Sequence, residues 1–344
     1  MSFFYDIKKM LQILNNKEKS KLLFLILFSI LIATLQAIAI SSIVPFMSLA
    51  MDHTLIINNK FLNFSYNYLN LSSYNDFIVI SGIFVFLLLT VANFLSYLLY
   101  KLTVNFLSYC NTTISYRLLD QYSKNDYEFF INSNSSEILK NIVSEVQLMV
   151  FNYLQPLSDV FIKFFLVFGL FLVLLLFNPF ITMISLCIFV LGYAFSYILT
   201  NKLSTTLGKL RLEIDTKRFS FLSELLGGIK EIKLSISERY FVDRFKKETI
   251  KWGNIVARQS SITVISKHVI ESVIYGGLVL IIVVSISVEN NIENLMPILL
   301  LFGVAGFKLI PSLQLIFSSV LRMRFFSKTL NTIYDLRPEN DVSE

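Results

Sequence analysis

Charge is scarce in this chain. Charged residues make up 16% of it, against roughly 25% in ordinary globular domains, which excludes a soluble core wrapped in a charged surface. Cysteine is almost missing: Cys110 and Cys187 are the two. One sits just beyond an apolar stretch and the other inside one, so a disulfide framework or thiolate metal site is excluded and both read as inert packing residues. No catalytic or metal-ligating constellation stands out. No Gly-x-x-x-x-Gly-Lys-Ser/Thr segment occurs, so no loop is expected to cradle nucleotide phosphates and the chain alone is not expected to hydrolyse ATP. The net charge of +6 forms no compact patch with base-stacking aromatics, which speaks against nucleic acid. Residues 1–21 are polar and amphipathic, and a long apolar run follows without a cleavage pattern, so they are no signal peptide. They read as an interfacial elbow helix.

What the chain does have is apolar length. Hydrophobic residues make up 55% and the mean hydropathy is +0.65. Six stretches, Leu22–Ala50, Phe77–Tyr100, Val150–Phe177, Phe180–Thr200, Val269–Val288 and Leu295–Val320, each approach the ~20 residues that cross a hydrocarbon core. Runs of this kind exclude the alternating strands of a membrane barrel, and lipid offers no partner to free backbone groups, so the spans are helices. The fold class is therefore all-α and polytopic. Of the 30 Lys and Arg, Lys60 alone falls in the segments between spans on one side (51–76, 178–179 and 289–293). The positive-inside rule then places both termini in the cytoplasm.

Two long polar excursions, 101–149 and 201–267, lie on the basic side. From Lys101 to Lys124 apolar residues keep helical spacing, as with Leu102, Phe106, Ile114 and Leu118. Such a helix extends ~36 Å past the membrane. Asn125 and Asp126 break it. The run from Tyr127 to Lys140 returns as a new helix, with Ser135 or Ser136 as its expected N-cap. In the second excursion, Gly227 and Gly228 mark a bend that sets off a short transverse helix. Asn58–Asn70 alternates aromatic and polar residues and reads as a short interfacial helix or an anchoring loop.

Ionisable residues inside apolar stretches are functional candidates. Lys308 lies near the middle of the sixth, three residues before Pro311, whose missing N–H predicts a kink or hinge. Lys267 and Glu271, with His268 beside them, share a face of the fifth. Lys163 and Lys101 sit near inner boundaries and can snorkel. Convergence of Lys267 with Lys308 would attract a diphosphate or other anion. The 33 phenylalanines read mainly as lipid-facing or packing residues.

Six spans with long inward helical extensions resemble the transmembrane half of an ABC exporter. The stretch Tyr127–Val146 resembles its first coupling helix, and Glu224–Phe245, with Gly228-Ile229-Lys230-Glu231-Ile232-Lys233, the second. The resemblance covers residues 1–336, with 337–344 as the start of a linker to an ATPase domain. It implies a dimer of such domains, a nucleotide-binding partner carrying ATP and Mg, and alternating access by rigid-body motion. Tyr127, Phe129, Phe130, Glu224, Gly227 and Gly228 are then the coupling residues. The motor is expected on a separate chain, or the sequence is a truncated piece that transports nothing by itself. Among such exporters, Ser135 and Glu137-Ile138-Leu139-Lys140 with Glu145-Val146, Lys267 with Glu271, and Lys308-Leu309-Ile310-Pro311-Ser312 resemble the bacterial lipid-linked oligosaccharide flippases of the inner membrane. That resemblance implies a lipid-diphosphate glycan as cargo. The alternative cargo is a peptide, toxin or drug. A membrane glycan polymerase or ligase would need catalytic residues in large external loops, and the short ones here are poor in them.

Overall fold

The computed structural model describes residues 2–51, 66, 74–288 and 292–336, and between 265 and 301 mostly the helical path alone. The described residues contain no strand. In chain order the helices are α1 (Ser2–Ile13), α2 (Asn16–Ser41), α3 (Ile43–Met51), α4 (Tyr74–Ser123), α5 (Tyr127–Asn132), α6 (Ser135–Lys140), α7 (Val146–Met149), α8 (Gln155–Phe177), α9 (Pro179–Gly227), α10 (Ile229–Leu234), α11 (Glu238–Val288) and α12 (Ile292–Asp335). At 1.5 Å per residue, α4 with its 50 residues and α11 with its 51 are rods ~75 Å long. Each is apolar over one part and charged over the other.

Local chemistry explains the breaks. The amphipathic segment expected over 1–21 is divided at Leu14–Asn15, and Lys17, Lys19 and Lys21 belong to the first spanning helix. The Asn15 backbone N–H donates to the Glu18 carboxylate at 2.8 Å, which starts α2 with one half of a capping box. The first apolar stretch is two helices rather than one. Pro45 lacks the N–H that would bond back to Ser41, and the chain resets at Ser42. Near residue 134, Asn134 is the cap in place of the expected Ser135 or Ser136: its side chain accepts from the Ser136 N–H at 3.1 Å. Ser135 and Ser136 fall inside α6. The α4 rod ends just before Asn125 and Asp126, and α9 ends at the glycine pair, both as the residues predict.

Two turns wider than α, Asn141–Glu145 and Val150–Leu154, interrupt the helix leading into α8. Pro156 in the first turn of α8 cannot donate to the residue four before it, and the wide turn ahead of it absorbs the missing bond. Around the expected hinge at Pro311, α12 is assigned as one continuous helix. The external segment Asn58–Asn70 lies outside the described residues apart from Tyr66, whose ring meets Phe77 edge-on at 5.5 Å.

Five helical segments of the described residues are long and apolar enough to cross a membrane: Asn16–Ala50, Tyr74–Ser123, Ser135–Phe177, Thr182–Gly227 and Phe302–Asp335. The fifth expected stretch, Val269–Val288, continues the path of α11, with most of its side chains outside the description. The rods pack chiefly as α9 on α11, α8 on α12, α9 on α12 and α2 between α8 and α4. In the apolar half, Ala33 and Ala37 of α2 let α8 approach, where Leu166 and Leu170 meet Leu309 of α12. Toward the charged ends a larger core joins Met10 of α1 and Leu14, just after it, to Leu107, Tyr153 and Leu330. Gly208 of α9 lies so close to the Phe325 backbone of α12 that a Cβ would overlap it, so glycine sets the distance at this crossing. Outward, Leu23, Phe24, Leu27, Leu31, Phe84 and Phe86 are more than half exposed, as befits a surface whose solvent is lipid.

Candidate functional site

Lys308 is half-buried in the apolar part of α12. Its ammonium donates to Asn93 of α4 at 3.0 Å. One turn on, the Ser312 hydroxyl donates to the Lys308 carbonyl at 2.7 Å, beside the proline that frees a neighbouring carbonyl. Lys163 of α8 feels both the positive charge of Lys308 and the opposite charge of Asp159, one turn away on its own helix. Lys163 and Asp159 line a cavity of about 320 Å³ between α2, α4 and α8. Gln36, whose amide donates to Ser96 at 2.5 Å, completes its polar wall. Lys101 is exposed at the edge of the apolar part of α4.

The other cluster is separate. Lys267 approaches Glu271 at 3.7 Å, His268 meets the same carboxylate at 3.2 Å, and Gln314 of α12 donates to it at 3.1 Å. Lys267 and Lys308 therefore do not converge within one chain. Lys308 turns toward α4, while Gln314, on another face of α12, turns toward α11.

The charged ends hold a network with no counterpart in the sequence expectations. Arg211 of α9 is buried, with its guanidinium 3.3 Å from Glu145, 3.0 Å from Asp215 and 2.8 Å from the Thr329 hydroxyl, and it lies over the Phe326 ring. Arg218 takes the other Asp215 oxygen at 2.8 Å. Lys140, almost wholly buried, donates to Thr216 at 2.7 Å. The spacing of Arg211, Asp215 and Arg218 along one helix face is legible in the chain. Glu145, 66 residues away, is not, because no local pattern pairs it with Arg211.

At the far tips the pattern reverses. Tyr127 is 80% exposed, and Phe129 and Phe130 of the same short helix are exposed and meet edge-on at 5.4 Å. On the second tip Leu234 and Ile236 are uncovered, the latter in the left-handed region at φ 51°, a conformation that a β-branched residue adopts only under constraint. Glu224 accepts from the Ser220 hydroxyl at 2.9 Å and its carbonyl from the Gly228 N–H at 3.0 Å, while Gly227 faces open space. Lys233 hydrogen-bonds Glu238 and holds its carboxyl below the usual value, closing the turn. Sequence reasoning missed Ile131, Leu234 and Ile236 as tip residues. Apolar side chains beside a helix break are the signal that would have found them.

Long helices that are apolar over one part and carry charged extensions beyond it are the form of a multi-pass membrane domain. The chain belongs to the family of ABC transporter transmembrane regions, which it matches over residues 19–307. It is thus a multi-pass membrane protein and a transmembrane part of an ABC transporter. Such domains generally dimerise and pair with a nucleotide-binding domain.

Proposed function

We propose that this domain works as an exporter which, as a dimer, carries an anionic amphiphile across the bacterial plasma membrane, and that the cargo is a lipid-linked oligosaccharide. The observation that carries this reading is Lys308: an ammonium at span depth, half-buried, held by the neutral Asn93 rather than by a carboxylate. An ammonium at that depth is costly unless it faces water or a partner, and one held by an amide has no carboxylate at that contact to compete with a cargo anion. Lys163, with Asp159 on the same helix, lines the cavity between α2, α4 and α8. The uncovered aromatic tips support docking on a nucleotide-binding partner, which would hold the ATP and Mg. Long rods packed along one another transmit its closure as rigid-body motion. The basic ends of the rods favour a cytoplasmic location for both termini.

The test is ATP hydrolysis by the chain reconstituted in lipid with its ATPase partner. A polyprenyl-diphosphate glycan should stimulate the wild type, and Lys308→Ala should remove most of that stimulation while leaving basal hydrolysis. Hydrolysis indifferent to both glycan and substitution would sink the reading and favour peptide or drug cargo.

A further inference from the structure

A second cavity, of about 780 Å³, opens among α7 with the wide turns on either side of it, α9, α11 and α12, near the charged ends of the rods. Three guanidinium groups line it, Arg211, Arg218 and Arg322, against the single carboxylate of Asp215. Asp215 is fully engaged, one oxygen on Arg211 and the other on Arg218. Arg218 is fixed further by the Thr249 hydroxyl at 3.2 Å and by the Trp252 ring beneath it at 4.6 Å. Arg322 differs. It is exposed and makes no hydrogen bond or ion pair among the described residues.

Two further lining residues carry an unsatisfied polar atom, of which the Trp252 N–H is the donor that suits an anion. The Trp252 indole N–H and the Gln259 carbonyl oxygen are buried without a partner, and Gln259 is only 9% exposed. Buried polar groups are normally satisfied, and an N–H donor beside a free guanidinium is the donor set that recognises phosphate oxygens. Arg322 also shares a helix face with Lys308, ~21 Å along α12 and within about 40° of it.

We infer that this cleft binds the phosphate or diphosphate group of a ligand, with Arg322 as the free fork, Trp252 as a donor wall, and Arg218 stacked behind it, as a station distinct from Lys308. Its place as the loading station on the cargo path rests on the export reading above; the binding site itself does not. The excess of positive charge draws the anion in. Aromatic groups on the same wall, Trp252 and Phe326 among them, accept the first part of an attached chain.

The chain supplies its own probe, since Trp252 is its single tryptophan. The purified full chain is titrated with a short prenyl diphosphate, with the matching prenyl alcohol and with inorganic pyrophosphate while tryptophan emission is followed. The diphosphate should shift the emission saturably and the alcohol should not. Arg322→Gln should weaken binding about tenfold or more, Arg322→Lys less, and Lys308→Ala less than twofold. Thermal melting of Arg322→Gln should match the wild type, because Arg322 holds no other group in place. Pyrophosphate binding as tightly as the prenyl compound would assign the site to soluble phosphates, and weaker binding would assign it to a lipid headgroup. Both results uphold phosphate recognition. An unchanged emission, an equal response to the alcohol, or a response untouched by Arg322→Gln would overturn it. A Trp252 response without glycan-stimulated ATP hydrolysis would reject the cargo and keep the site.

Discussion

The shafts and the tips of the two charged excursions are built from opposite materials. In the shafts, charge is buried and matched: Arg211, Glu145, Asp215 and Thr329 close on one another between three helices. At the tips, apolar side chains are bare: Tyr127, Ile131, Leu234 and Ile236 are each about two-thirds exposed or more. Buried ion pairs resist rearrangement because either partner alone would be a desolvated charge. Bare apolar groups on short helices contribute little to their own fold, and they are the surface that the proposed docking on a nucleotide-binding partner would cover. The contrast separates a part built to keep its shape from a part that, on the proposed reading, docks on a partner.

The sharpest break of this comparison is Arg211→Ala. It strands the Glu145 carboxylate in the shaft, leaves Asp215 to Arg218 alone, and should cost about 3–5 kcal/mol, read as lower thermal stability in detergent. At the tip, Phe129→Ala with Phe130→Ala should leave stability within about 0.5 kcal/mol, yet weaken association with the nucleotide-binding partner about tenfold or more in a pull-down titration. Equal stability losses at shaft and tip would erase the distinction.

The smallest effect tests the joint beneath the shafts. Asp6 is 7% exposed, and burial pushes its carboxyl above the ordinary range against the pull of Arg324 and Lys9. A raised folded value means the stabilising form is the protonated one. That contribution is full below the ordinary carboxylate range and lost as pH rises through the raised value. At neutral pH Asp6 therefore weakens the joint, and Asp6→Asn should raise the melting temperature by about 1–2 °C. The gain should vanish in acid.

Much of this division is readable along the chain. The apolar runs, the stop at Asn125 and Asp126 and the glycine pair are local signals, and the helices obey them. The elbow boundary and the cap at Asn134 depend on which of several competent residues wins. Asn15 and Glu18 form one half of a capping box, which the amphipathic pattern of 1–21 conceals. Lys308 is legible because a charge in a long apolar run is conspicuous. The cleft around Arg322 and Trp252 is not, because an arginine beyond a span and a tryptophan in a charged helix look ordinary until four helices bring them to one wall.

One joint reaches further than its size. Lys9 donates to Asn331 at 2.6 Å and the Tyr334 hydroxyl to Gln12 at 2.8 Å, so the first helix grips the last across 322 positions of sequence. The fold is thereby closed like a belt on its buckle. A pull on α12 beyond Asp335 is shared at once with α1, and through Arg117, which reaches both the Ile13 carbonyl and the Glu18 carboxylate, with α4. Tension at one end of the chain is borne by three rods instead of one.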